Sequence, residues 1–105
     1  MRSMKNVIKL YGGFVYIITN KNHTTLYTGV TSDLYSRVIQ HREKHYPNSF
    51  TAKYNCDKLV YYFFFDTIEE AITREKQIKG GNRAAKFKLI EGLNPSWKDL
   101  FSELC

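Results

Sequence analysis

Cysteine is scarce in this chain of 105 residues: Cys56 and Cys105 are the only two and lie far apart. That rules out a disulfide framework and leads us to expect free thiols in a reducing cytosol. No secretory leader is visible, because the basic start MRSMKNVIK runs into a strand-like segment rather than an apolar h-region. The longest apolar run, Leu59 to Phe65, is seven residues, far short of the roughly 20 that a membrane-crossing helix needs. Cys-x-x-Cys pairs are absent, and Gly80-Gly81 lacks the lysine-plus-hydroxyl signature of a phosphate-binding loop. There is no internal repeat, low-complexity tract or linker. A soluble cytoplasmic protein of one domain, with no membrane partner, is the expectation.

What is present in quantity is aromatic and basic. Hydrophobic residues at 43% and charged residues at 25% are ordinary globular values, but eight Tyr and seven Phe are more rings than a domain this size can hide. Sixteen basic against ten acidic residues leave a net charge of +6, which favours an anionic partner such as nucleic acid. Charge alone does not separate an enzyme from a passive binder.

Along the chain, Phe14 to Thr19 and Leu26 to Val30 are β-branched and aromatic and read as strands. Asn20 to His23 supplies turn chemistry between them, and a two- or four-residue loop there would pair Tyr16 directly with Tyr27. Because strand side chains alternate, a slip of one residue would put the two rings on opposite faces. Thr31 or Ser32 caps the next helix, with Asp33 in its first turn and Leu34, Val38 and Ile39 buried. Pro47 to about Asp57 reads as a polar loop. Leu59 to Phe65 shows no alternation and is expected as a strand covered on both faces.

Thr67 and Glu70 make a capping box for a helix from Ile68 to Lys79. Gly80 or Gly81 is expected to end it in the left-handed conformation. A further helix spans Arg83 to Glu91, with Phe87 and Ile90 inward; Asn94-Pro95 breaks it, and a last short helix is expected from Trp97 to Leu104.

Several side chains on these elements are chemically competent. Arg37 and His41 are four residues apart and share a helix face close to the second strand. They also suit a plain solvated face, and Tyr16 with Tyr27 suits an ordinary cross-strand pair. Glu75 falls in the apolar stripe of Ile68, Ala71, Ile72 and Ile78, where an isolated carboxylate is costly. It should be paired with Arg37 or a lysine, neutralised, or bound to a metal; magnesium suits one or two carboxylates. Arg74, Lys76, Lys79, Arg83, Lys86 and Lys88 form a basic run beside it, suited to phosphates or simply to solvent. Zinc on His41 and His45 with His23 or Cys56 has no supporting ligand pattern.

Taken together, Phe14-Val15-Tyr16, Tyr27-Thr28-Gly29, their eleven-residue tyrosine spacing, an arginine ten residues on and a later helical glutamate resemble the GIY-YIG nuclease family. LYTGVTSDLYSRVIQH, EEAITREKQIKG and NPSWKDL are similar to its small single-domain bacterial members. The resemblance implies an α/β (α+β sandwich) fold, a small three-stranded antiparallel sheet flanked by helices. It implies a domain over 13–100, an N-terminal extension over 1–12 and a C-terminal tail over 101–105.

By position it makes Tyr16, Tyr27, Arg37 and His41 the catalytic set and Glu75 the ligand of Mg2+ (or Mn2+). Tyr27 would act as base with help from His41 or a metal-bound hydroxide, Tyr16 would place water or phosphate, and Gly29 would give a close turn at Tyr27. The implied activity is one-metal endonucleolytic hydrolysis of nucleic acid, DNA first. A noncatalytic nucleic-acid-binding module on the same fold is the alternative, and a scaffold for a protein partner a third. Phe14 and Thr28 depart from the motif glycine and isoleucine, Val30 stands where some relatives carry lysine, and neither Asn82 nor Asn94 matches the asparagine many relatives use.

Overall fold

A computed structural model describes residues 12–104; Cys105 and the expected extension up to Tyr11 lie outside them. Three strands, β1 (Gly13–Thr19), β2 (Leu26–Thr31) and β3 (Lys58–Phe65), form an antiparallel sheet in the order β2-β1-β3. Helices α1 (Leu34–Arg42), α2 (Phe50–Lys53), α3 (Ile68–Gly80) and α4 (Arg83–Leu93) flank it, with a 3-10 turn over Leu100–Leu104. This is the expected α+β fold.

Because β1 is central, its alternating side chains feed two cores. Val15 and Ile17 pack with Ala71 and Ile78 of α3 and with Ile90 and Trp97. Tyr16 and Ile18 face the other way, onto Leu34 and Val38 of α1 together with Leu59 and Leu100. Every residue from Val15 to Thr19 is therefore buried.

Strand β3 departs from the sequence expectation. It is an edge strand, and Phe63 and Phe64 are 52% and 41% exposed, so only its first half is covered. The missing alternation has a second cause: the register shifts between Ile17 and Ile18, where Ile17 faces Tyr61 and Ile18 faces Leu59. Val60 is the extra residue of this bulge. Its carbonyl accepts a hydrogen bond from the buried Asn94 side chain at 3.1 Å.

The helix boundaries follow side-chain caps. Asp33 itself caps α1, accepting from the Ser36 amide, while Thr31 Oγ1 accepts from the Asp33 amide. Thr67 caps α3 through the Glu70 amide as expected. Ile72 of α3 proves exposed, which narrows the apolar stripe to Ile68, Ala71 and Ile78 around Glu75. No glycine among the described residues adopts a positive φ. Gly81 leaves α3 in extended conformation and Asn82 caps α4 at once through the Ala85 amide, so two helix ends share one short link.

Candidate active site

The hairpin sets the site. Tyr16 stands opposite Gly29 and Tyr27 opposite Ile18, two residues away from the expected direct pairing. A shift of two preserves the face of every side chain, so both tyrosines still point to the α1 side. The longer loop comes from Asn20, whose side-chain oxygen accepts from the amides of Thr24 and Thr25, with Thr19 Oγ1 donating to the Thr25 carbonyl at 2.7 Å. His23 sits in the left-handed region (φ 58) and stacks on Trp97 at 4.5 Å, which holds the tip.

Gly29 has a different task from the expected close turn. A Cβ there would lie 2.5 Å from Cζ and the hydroxyl oxygen of Tyr16. The bare backbone makes room for the Tyr16 ring, which then reaches across to α1.

Tyr16 hydroxyl and His41 Nε2 are 2.9 Å apart, and His41 Nδ1 lies 2.9 Å from Thr51 Oγ1. The three rings Tyr16, Tyr27 and His41 form a triangle with centroids 5.7–6.4 Å apart. Tyr16 is fully buried; it lies beneath the cleft and does not line it, against the expectation that its hydroxyl would meet substrate. Burial raises its pKa well above the tyrosine range, Tyr27 and Glu75 add to this, and the charge and hydrogen bond of Arg37 work in the opposite sense. Burial, with Arg37 nearby, lowers the His41 pKa to about 4 and keeps its imidazole neutral at neutral pH. Both His41 nitrogens are engaged, neither with Tyr27, so the expected help from His41 to Tyr27 is not the arrangement present.

Above this row is a cleft of about 340 Å3 lined by Tyr27, Arg37, Gln40, His41, Lys44 and the α2 side, including Phe50 and Thr51. The sequence-level set therefore gathers around one place: Tyr27, Arg37 and His41 in the wall, Tyr16 beneath. Glu75 of α3 is near enough for its charge to act on Tyr16. Residues 12–89 match the family model described as the GIY-YIG catalytic domain. The chain belongs to the GIY-YIG family.

Among its relatives, a UPF0213 protein of Staphylococcus saprophyticus is 40% identical over 81 residues, covering 73% of this chain and 92% of that one. A UPF0213 protein of Clostridium perfringens is also 40% identical over 81 residues, covering 73% and 81%. The solution structure of a UPF0213 protein from Bacillus halodurans superimposes with a TM-score of 0.54 at 26% identity, covering 84% of this chain and 92% of that one.

Within this GIY-YIG domain Glu75 already has a cation. Lys79 Nζ lies 2.8 Å from its carboxylate, the Glu75 side chain being 13% exposed and that of Lys79 52%. The bond to Glu75 raises the Lys79 pKa, and the ammonium stands 6.0 Å from the Tyr27 ring centroid. A lone oxygen donor fits magnesium, which completes its shell with water and phosphate; the exposed lysine would have to swing aside. His23 stacks on Trp97 and His41 is held by Tyr16 and Thr51, so the zinc set is not assembled.

The basic run is engaged unevenly along its length. Lys79 belongs to Glu75, and Arg83 donates to the carbonyls of His23 and Thr24 at 3.1 and 2.9 Å, tying α4 to the hairpin tip. Arg74, Lys86 and Lys88 flank a groove of about 340 Å3 between α3 and α4, where Lys86 Nζ also donates to the Gly81 carbonyl. Lys76 is exposed. Asn82 is spent as a helix cap and Asn94 on the β3 bulge, so both have structural tasks.

Thr51 was hidden from sequence reasoning. It lies in the stretch read as loop, which instead forms α2 with Ser49 as its cap. A serine three residues before an alanine was the available signal for the turn; nothing local marks Thr51 as buried at 4% exposure.

Proposed function

We propose that this GIY-YIG domain binds nucleic acid, DNA in the first instance, by seating a backbone phosphate in the cleft over Tyr27 and His41. The observation that carries this is the lining: Arg37 and Lys44 contribute two cations and no carboxylate faces them there. A phosphodiester supplies the missing charge, and the guanidinium offers paired donors to its oxygens. Tyr27 and Phe50, with ring centroids 6.2 Å apart, give the same wall an aromatic surface suited to a sugar or base. The names of the UPF0213 relatives state no activity, so the family fold supports nucleic-acid interaction and leaves catalysis to be tested.

Metal-dependent hydrolysis of that phosphodiester is the finer proposal, favoured by Glu75 beside a cleft that already holds Arg37 and Tyr27. Glu75 would hold Mg2+ or Mn2+, which when bound supplies a Lewis acid for the scissile phosphate and for the leaving oxygen. Arg37 offsets charge growing on the nonbridging oxygens. Tyr27, partly exposed in the wall, would serve as base in its phenolate form, its own proton having passed to solvent before it accepts one from water, and the neutral His41 fixes the floor beneath it. Tyr16 keeps its own proton, because burial disfavours its anion, and so acts as a positioning group.

Labelled single- and double-stranded DNA and RNA, offered with Mg2+, Mn2+ or EDTA, test both statements. Binding that persists in EDTA with cleavage only in the metal is the outcome of the finer proposal. Binding with no cleavage under any condition leaves the noncatalytic binding module. A protein that retains none of these nucleic acids at low salt overturns both.

A further inference from the structure

The cleft floor contains a directional row of hydroxyl and imidazole groups that runs past the residues named by the family motif. Ser49 Oγ lies 3.3 Å from Thr51 Oγ1, Thr51 Oγ1 2.9 Å from His41 Nδ1, and His41 Nε2 2.9 Å from the Tyr16 hydroxyl. It crosses from α2 through α1 to the central strand, and Thr51 and Tyr16 within it are buried.

Proton counting gives the row a sense. Tyr16 is fully buried and His41 is the only hydrogen-bond acceptor for its hydroxyl among the described residues, so the phenol proton goes to Nε2. His41 Nε2 must therefore carry the lone pair. A neutral imidazole with a bare Nε2 carries its hydrogen on Nδ1, and Thr51 Oγ1 is the acceptor in front of it. The Thr51 hydroxyl is left to donate onward to Ser49 Oγ. Reversing the whole row would leave the buried Tyr16 proton without an acceptor among the described residues.

We infer that Thr51 is a positioning residue that selects the Nδ1–H tautomer of His41 and turns its Nε2 lone pair onto Tyr16. Its consequence for catalysis rests on the cleft handling a phosphodiester; the tautomer itself does not. The other groups around the imidazole are Tyr27 from β2, Arg37 and Lys44, and Phe50 from α2. The aromatic ring of Phe50 offers Nδ1 no strong acceptor, and the two cations cannot accept, so the threonine oxygen is the acceptor that holds the Nδ1 proton. The lowered His41 pKa agrees with a neutral ring at neutral pH.

The test is nitrogen NMR on protein with labelled histidine, which reads the protonated nitrogen directly. In the parent at neutral pH, His41 should show a protonated Nδ1 and an unprotonated Nε2. Thr51→Val keeps the shape but removes the acceptor, and should shift His41 toward the Nε2–H form or a mixture; Thr51→Ser should restore the parental pattern. On magnesium-dependent DNA cleavage, Thr51→Val should lose about tenfold or more, by analogy with the loss of an orienting partner from a metal-ligating histidine, with Thr51→Ser near parental. An Nε2–H tautomer in the parent overturns the inference even if Thr51→Val does not fold. An unchanged His41 spectrum in folded Thr51→Val overturns it too. Absence of cleavage in the parent refutes hydrolysis alone, since the spectra still judge the tautomer.

Discussion

Tyr16, His41 and Thr51 satisfy one another in a largely buried row, whereas Arg74 and Lys88 stand at the rim of the α3–α4 groove without an acidic partner among the described salt bridges. Burial makes the first region exacting. Each polar atom there needs a partner within the protein, so position, tautomer and charge are fixed together. In the second region water already satisfies the charges, and their effect is a summed field that tolerates rearrangement. Glu75 with Lys79 lies between the two, a shielded carboxylate answered by a half-exposed ammonium. The contrast predicts that substitutions in the row change chemistry or folding sharply, while those at the rim act gradually through salt.

The largest effect is expected at the boundary. Glu75→Gln should lower magnesium-dependent cleavage about 100-fold or more, with DNA binding in EDTA near parental. Its melting temperature should hardly move, because a pair with one well-exposed partner contributes at most about 1 kcal/mol. Parental cleavage in this variant would show that the carboxylate holds no essential metal.

Next is Gly29→Ala, whose methyl would meet the Tyr16 ring at 2.5 Å. Overpacking of this kind costs about 1–3 kcal/mol, enough to lower the melting temperature by several degrees. Gly92→Ala is the control: that helical position has nothing within 4 Å, and alanine should stabilise it by about 0.5–1 kcal/mol. Equal melting temperatures for the two variants would mean that the Tyr16 ring does not need the bare strand.

At the rim, Arg74→Ala with Lys88→Ala should leave the melting temperature and the metal dependence alone. DNA affinity should fall, and its logarithmic salt slope should shrink by about one for each phosphate that these cations no longer neutralise. Identical salt slopes for variant and parent would remove the groove from the binding surface.

The smallest effect concerns acid. The folded-state pKa of His41 is lowered to about 4 from an ordinary 6.5, so between those values the unfolded chain binds more protons than the folded one. Stability is therefore whole above the ordinary histidine value and declines as pH falls toward 4. His41→Gln should flatten that limb of the melting curve. A limb equally steep in the variant would assign the decline to other groups.

Much of the fold was readable because its signals are local. Strand composition and the Thr67 cap depend on neighbouring residues, and both appear in the structure. The candidate site was readable to the extent that parity and helical spacing govern it: both tyrosines share a face, and Arg37 and His41 share another. Loop length was not, since it depends on Asn20 gathering two amides across the tip. The exposure of Phe63 and Phe64 was equally hidden, because a strand does not encode whether it lies at the edge of its sheet.

By itself the amino-acid order determined the family, the elements and the residue types available for chemistry, because short-range geometry and periodicity follow from the chain alone. Tertiary structure alone decided that Tyr16 is buried beneath the cleft, that Thr51 holds His41 and that Arg83 is spent on the hairpin tip. Each of these depends on which groups lose water together. That is a property of packed surfaces far apart in sequence, and no local pattern records it.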